Sequence, residues 1–224
     1  MSNMKTIRVT GKGQIKVHPD MTRITIDLEG VYKEYRETLR RSSEDTEKLR
    51  DLLLEHGFVP TDLKTLYFNV DTEYESYQEK GAFKHRLIGY RYQHRMKLEF
   101  DSDNERLGRI LYALAASPLH PEFNLSYTVK DQEAAKNTLL GKAVTDAKEK
   151  AAVLTNAAGV SLKDIQTIDY SWGEINFEVR PMNRAMMAEG CLMAPSESAS
   201  YDLDIEPDDI EVQDTVTVVW EISA

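Results

Sequence analysis

Two long stretches of alternating apolar and polar residues meet at Gly81, and they constrain the fold more than any other feature. This alternation is the period of a half-buried β-strand, so we predict a long antiparallel hairpin. A register centred on Gly81 places Asp71 opposite Arg91, a cross-strand charge pair that stabilises by about 0.2–1 kcal/mol. We therefore predict one charged, solvated face and one apolar face. The apolar face consists of Leu66, Phe68, Val70, Thr72 and Tyr74 on the first strand and Ile88, Tyr90, Tyr92, His94, Met96, Leu98 and Phe100 on the second.

The rest of the chain switches repeatedly between strand and helix periods. Strands at 7–17 and 24–28 are predicted to form a first hairpin, because His18-Pro19-Asp20 supplies turn chemistry between them. The order of elements, ββα-ββ-α-β-α-β followed by a long loop and a last β-strand, indicates an α+β fold with a largely antiparallel sheet and packed helices. Apolar spacing predicts helices at 34–56, 104–116 and 132–158 and further strands at 122–129, 165–172 and 210–222.

The Gly11-Lys12-Gly13 stretch resembles a fragment of a phosphate-binding loop, but its context argues against that function. Such loops join a strand to a helix, whereas here strand alternation runs through both glycines and a second strand follows. Both glycines lie on one strand face, where a missing side chain permits close approach of another backbone or a helix. The third predicted helix carries small residues at spacings of three and four, which let a helix lie close to a sheet. This stripe consists of Leu140, Ala143, Val144, Ala147, Ala151, Leu154 and Ala158.

Residues 178–209 lack any strand or helix period, and we interpret them as a long loop inserted before the last strand of a single domain that spans 1–224. A loop of this length is usually functional or disordered. Methionines are flexible and common in binding surfaces, so the loop is a candidate interface, with disorder as the alternative. The candidate interface residues are Arg180, Met182, Arg184, Met186 and Met187.

Composition restricts the class of partner. The chain is 41% hydrophobic and 29% charged, which is typical of a soluble globular protein. A net charge of −10 argues against binding a nucleic-acid backbone or an anionic membrane. No apolar run is long enough to span a bilayer, and the first residues do not resemble a signal peptide. We expect no membrane insertion and a cytoplasmic location, or a periplasmic one if the chain is a trimmed mature form.

No motif in the sequence indicates a catalytic or metal site. There is no Gly-Xaa-Ser-Xaa-Gly elbow, the five histidines lack metal-ligand spacing, and the lone Cys191 excludes a cysteine cage. We therefore expect neither cofactor nor metal nor catalytic residues. One cluster leaves an alternative open, because Tyr90, Tyr92 and His94 fall on one strand face. They are either core residues or the lining of an aromatic small-molecule site.

Several segments together resemble a known family. The stretch VTGKGQIKVHPD, followed by an Ile-Thr-Ile strand, is similar to the N-terminal signature of the SIMPL domain. The alanine-rich KAVTDAKEKAAVLTNAAGVSL, the segment RPMNRAMMA and the closing IEVQDTVTVVWEI extend the similarity to the C-terminus. The resemblance implies a bacterial homo-oligomer, because one periplasmic member forms a large ring, and a link to stress response. It supplies no catalytic residues, because none is established for the family.

Three hypotheses of function follow. The first is a non-enzymatic assembly or interaction protein, in which edge strands and the loop at 178–209 mediate self-association into a homo-oligomer. The second is a small-molecule binding protein or enzyme whose site is lined by the aromatic cluster, which would require a deep pocket with convergent polar groups. The third, a signalling adaptor with a protein partner, follows from the family resemblance alone.

Overall fold

The computed structural model describes residues 5–79, 81–170, 175–180 and 205–223, and it confirms an α+β fold with mostly antiparallel sheet. Helices α2 and α3 have the predicted bounds. The helices are α1 Tyr35–Glu55, α2 Asn104–Ala116 and α3 Gln132–Ala158. The strands are β1 Thr6–Val17, β2 Met21–Tyr32, β3 Lys64–Glu79, β4 Ala82–Asp101, β5 Glu122–Thr128, β6 Ser161–Tyr170, β7 Glu178–Val179 and β8 Ile210–Ser223.

Residue contacts divide the chain into two compact units, each built from separate segments. The first unit comprises Met1–Pro19, Thr128–Val179 and Asp208–Ala224, and the second comprises Asp20–Tyr127 and Arg180–Pro207. The single domain over 1–224 stays a prediction. Within the predicted loop at 178–209, the short strand β7 precedes residues 181–204, which lie outside the described residues.

The first unit contains a sheet in the order β1-β8-β6, with β8 antiparallel to both neighbours. Strand β1 pairs with β8 along its full length, from Thr6 opposite Glu221 to Val17 opposite Ile210. The predicted hairpin between β1 and β2 is therefore wrong, since β2 pairs with β4 in another sheet. The turn chemistry at residues 18–20 favours a reversal of the chain, but it does not determine which strand becomes the partner.

Helix α3 packs against β1 and β8, and glycines make the close approach possible. A Cβ built on Gly11 would lie 2.0 Å from the carbonyl oxygen of Ala143, and one on Gly13 would lie 2.2 Å from that of Leu139. The predicted role of the two glycines is thus confirmed. Asp146 also ties the helix to β1, because its carboxylate accepts the backbone N–H of Lys12 at 2.6 Å.

The small-residue stripe of α3 is buried mainly where alanines recur every four residues. Ala143, Ala147 and Ala151 are fully buried and pack in one cluster with strands β1 and β8. The stripe prediction is wrong at Leu154 and Ala158, which are exposed. Leu139 is fully buried, whereas the predicted Leu140 is only partly buried. Residues four positions apart lie on the same face of a helix, and only the residues on the face towards the sheet are buried. A small residue on another face does not contact the sheet.

The second unit is built on four strands that lie side by side in the order β3-β4-β2-β5. Helix α1 packs against the two central strands, β2 and β4. Its inward face includes two buried leucines and several small hydroxyl residues. The apolar core here includes Ile24, Ile26, Leu28, Leu49, Leu53, Tyr92, Met96 and Leu98.

The β3–β4 hairpin has the predicted register around Gly81, with Asp71 opposite Arg91. Two register shifts interrupt it, one between Thr65 and Tyr67 and one between Glu73 and Tyr74. These bulges move the predicted face residues Leu66 and Ile88 out of pairing, which alternation alone does not predict. The other predicted positions keep their alternation.

Candidate functional site

The β3–β4 hairpin is longer than the strand beside it. Strand β2 has 12 residues, whereas β3 has 16 and β4 has 20. Pairing of β2 with β4 ends where Tyr32 lies opposite Tyr90, and from Gly89 to the turn β4 pairs with β3. We call residues 73–89 the hairpin arm. Because the arm is a two-stranded ribbon, both of its faces are available to solvent or to a partner.

The face of the arm that continues the helix-covered side of the sheet carries three large apolar side chains, with the hydrogen-bonded pair Ser76–His85 between them. Tyr74 lies opposite Leu87, and Phe83, opposite Gln78, lies four pairs further along the ribbon. These side chains are 55%, 48% and 78% exposed, respectively. The same face of β3 continues back to Phe68, which is 45% exposed because α1 packs on β2 and β4. We call Phe68, Tyr74, Phe83 and Leu87 the apolar stripe.

The opposite face of the hairpin is charged, as predicted. Arg91 Nη2 donates to Glu73 Oε1 at 2.7 Å, and Arg86 forms an ion pair with Glu75 further along the arm. The Arg86 guanidinium also lies 5.8 Å from the ring centroid of Tyr77. The predicted partner of Arg91 was Asp71, which lies directly opposite, but the ion pair forms with Glu73. Diagonal neighbours are within reach of a long arginine side chain, so a register does not fix a single ion pair.

His94 is buried beneath α1, with 8% of its surface exposed. Its Nδ1 lies 3.0 Å from Thr46 Oγ1 on α1, and its Nε2 lies 2.9 Å from Thr65 Oγ1 on β3. The ring meets Phe68 edge to face with centroids 5.2 Å apart. Burial, together with the nearby positive charge of Arg50, lowers the pKa of His94. The imidazole is therefore favoured in its neutral form.

The other two members of the predicted aromatic cluster occupy the same face of β4. The Tyr92 hydroxyl donates to Asp45 Oδ2 on α1 at 2.8 Å. Burial, with this hydrogen bond as a second cause, raises the pKa of Tyr92. Tyr90 is half-buried and meets Tyr35 edge to face at 5.5 Å. The structure thus brings Tyr90, Tyr92 and His94 together, packed against or near α1.

A shallow depression of about 240 Å³ lies on the opposite, charged face of the sheet. Arg95 in its wall donates from Nε to Asp27 Oδ1 at 2.7 Å. Tyr92 and His94 do not line this depression. Among the described residues, no group of three or more histidine, cysteine or carboxylate side chains could hold a metal ion. The lining residues are Asp27, Leu28, Glu29, Tyr67, Gln93, Arg95 and Glu122.

The loop residues predicted as an interface are mostly outside the described part of the chain. Arg180, directly after β7, is exposed. Met182, Arg184, Met186 and Met187 lie outside the described residues. Sequence reasoning missed the exposure of the arm, although the unequal strand lengths were a usable signal. It also missed Thr46 and Thr65, which carry no motif and are brought to His94 by α1 and the first bulge of β3.

Comparison with known proteins identifies the family. The family model for SIMPL, described as a protein of unknown function (DUF541), matches residues 7–220. The chain belongs to the SIMPL family. This SIMPL protein is 27% identical over 157 residues to the 26 kDa periplasmic immunogenic protein of Brucella melitensis biotype 1. That match covers 70% of this chain and 62% of the Brucella protein, so it spans less than two thirds of the relative's length.

Solved structures also include a match to this SIMPL protein. CutA from Synechococcus elongatus PCC7942 is 13% identical, with a TM-score of 0.21 over 58% of this chain and 95% of that chain. A similarity at this level supports no conclusion about function. Among the described residues of the SIMPL chain, no helix is both long and apolar enough to cross a membrane.

Proposed function

We propose that this SIMPL protein is an assembly protein that forms a homo-oligomer through the apolar stripe of its hairpin arm. The observation that carries the proposal is the exposure of Tyr74, Phe83 and Leu87 on one face of a two-stranded ribbon. Large exposed apolar side chains gathered on one face often mark an interaction surface, because water contact with apolar surface is unfavourable.

The distribution of charge favours packing on the face of the arm over pairing at its edge. The β3 edge of the hairpin carries Asp71, Glu73 and Glu75, and two such edges would bring carboxylates together. Charged residues on an edge strand oppose edge-to-edge pairing. The stripe positions on the apolar face carry no charged side chain that would oppose contact with a second copy. A second copy of the chain offers an identical apolar face, which is the requirement for an isologous contact.

The proposal is tested by mass in solution. We expect the wild-type protein to be an oligomer by light scattering at micromolar concentrations. A variant with Tyr74→Ser, Phe83→Ser and Leu87→Ser should have a lower mass with an unchanged circular dichroism spectrum. The matched control is Tyr77→Ser, which removes an aromatic from the opposite face of the same arm.

Two results would contradict the assembly function. One is a monodisperse wild-type monomer across the micromolar range. The other is a stripe variant that keeps the wild-type mass.

We also propose that residues 178–209 contribute to assembly. The candidate interface residues of this loop are Arg180, Met182, Arg184, Met186 and Met187. Replacement of residues 179–207 by a short Gly-Ser linker should then weaken association, and an unchanged mass would remove the loop from the interface.

A periplasmic location is the setting that we propose for this assembly. The support is the name of the Brucella relative, which describes that protein as periplasmic. Fractionation of cells that express the protein from its natural locus tests the proposal, and recovery in the cytoplasmic fraction would contradict it. A link to stress response is supported by family resemblance alone, and survival of a deletion strain under peroxide tests that link.

A further inference from the structure

The hydrogen bonds around His94 fix the position of its proton. Thr46 Oγ1 donates its single hydrogen to the carbonyl oxygen of Ser42 at 2.7 Å. The same oxygen lies 3.0 Å from His94 Nδ1, so Nδ1 must be the donor in that contact. In the neutral ring Nε2 is then the acceptor, and the Thr65 hydroxyl must donate to it across 2.9 Å.

This arrangement is that of an activated hydroxyl. A nucleophilic hydroxyl is recognised by a base within hydrogen-bond reach and by a third group that orients the base. Thr65 is exposed, His94 is buried behind it, and Thr46 holds the far side of the ring. We propose that Thr65 is a nucleophile for acyl transfer, with His94 as its general base and Thr46 as a positioning residue.

The surroundings of the hydroxyl suit an acyl ester. The ring of Phe68, beside the imidazole, is 45% exposed and offers an apolar surface to the acyl chain. Arg50 follows Thr46 by one helical turn, and its charge acts on the imidazole. The bulge between Thr65 and Tyr67 is a second feature, since bulges re-aim side chains near active sites.

The reaction balances with water as the second substrate. Thr65 Oγ attacks the carbonyl carbon of the ester while its proton moves to His94 Nε2, which gives a tetrahedral oxyanion. The oxyanion collapses, the bond to the leaving oxygen breaks, and that oxygen takes the proton from Nε2. Water then attacks the acyl-threonine with the same base, which releases the carboxylic acid and restores the hydroxyl. An ester and water thus become an acid and an alcohol.

The test uses the full chain and p-nitrophenyl acetate. We expect release of p-nitrophenol together with an acetyl adduct that peptide mapping assigns to Thr65. The adduct should be lost in Thr65→Ala and retained in Thr65→Ser. His94→Gln should slow acylation by about 100-fold, the lower end of a general base's contribution. The control Thr72→Ala removes a hydroxyl from the same face of β3, and its rate should equal that of the wild type.

A pH profile and the ring tautomer separate catalysis from a structural role. The elements around the ring present Leu28 from β2, Thr65 and Phe68 from β3, and Thr46 and the charged Arg50 from α1. The acylation rate should rise with pH, with the midpoint of the rise below about 6.5, the ordinary pKa of histidine. Nitrogen shifts in NMR should show the proton on Nδ1. No adduct on Thr65, an equal rate in Thr65→Ala, or a proton on Nε2 would each overturn the proposal.

Discussion

The substitution Gly11→Ala should destabilise the first unit by overpacking β1 against α3. The added Cβ would lie 2.0 Å from the carbonyl oxygen of Ala143, 2.4 Å from the backbone nitrogen of Ala147 and 2.7 Å from the Ala147 Cβ. Ordinary contact begins at 3.4 Å, so the helix would have to retreat by about 1.4 Å, which is 3.4 minus 2.0. The obstacles are helix backbone atoms, which cannot rotate away as a side chain can.

The magnitude follows from the kind of obstacle. Overpacking a core typically costs 1–3 kcal/mol, and we expect about 3 kcal/mol because a whole helix must move. A retreat of α3 would also loosen the contacts of Ala143, Ala147 and Ala151 with the sheet. For a chain of this size, about 3 kcal/mol corresponds to a decrease of about 6–12 °C in Tm. Urea unfolding followed by far-ultraviolet circular dichroism measures the change.

The matched control is Gly141→Ala on α3 itself. No heavy atom lies within 4 Å of the Cβ that this substitution adds. Alanine is favoured over glycine inside a helix by about 0.5–1 kcal/mol, so this variant should be more stable than the wild type. The same substitution of glycine by alanine should therefore lower stability at position 11 of β1 and raise it at position 141 of α3. A Gly11→Ala protein within about 0.5 kcal/mol of the wild type would refute the overpacking argument.

Three further predictions concern stability. The pKa of His94 is lower in the folded protein than in the unfolded chain, so the unfolded chain binds the proton more tightly. The free energy of unfolding should therefore fall as pH drops below about 6.5. That slope should be weaker in His94→Gln, by urea unfolding at several pH values. Tyr92→Phe removes the donor to the Asp45 carboxylate, and unfolding should show a loss of about 1.5–3 kcal/mol. Asp131→Ala removes the N-cap of α3 and should lower the unfolding free energy by about 1 kcal/mol, with Lys148→Ala on the same helix as an exposed control.

Local periodicity was sufficient to predict most elements and the register of the long hairpin. Alternation and helical spacing depend on neighbours within a few residues, so α2, α3 and the pairing of Asp71 with Arg91 could be predicted. The partner of β1 could not, because β8 lies about two hundred residues away and has the same alternation. The bulges were also unpredictable, since a bulge depends on how two strands pair and no residue type in the sequence marks the extra, unpaired residue.

The candidate sites were less predictable because they depend on what covers each strand. His94 was correctly placed on the apolar face of β4, but its two hydrogen bonds come from α1 and from the bulged start of β3. Only the tertiary fold brings those hydroxyls to one ring. The sequence pattern likewise assigned Tyr74 to an apolar face without indicating that the face extends beyond the helix.

The unequal lengths of three neighbouring strands connect the fold to its proposed assembly. A hairpin of matched length would end where β2 ends. Here the 20 residues of β4 exceed the 12 of β2, so Tyr74, Phe83 and Leu87 lie on the part of the ribbon beyond β2 and are exposed. The charged alternation of the other face continues with it and forms ion pairs such as Arg86 with Glu75. One face of the arm therefore forms ion pairs within the chain, whereas Tyr74, Phe83 and Leu87 on the other face are exposed, which is the condition that the proposed assembly requires.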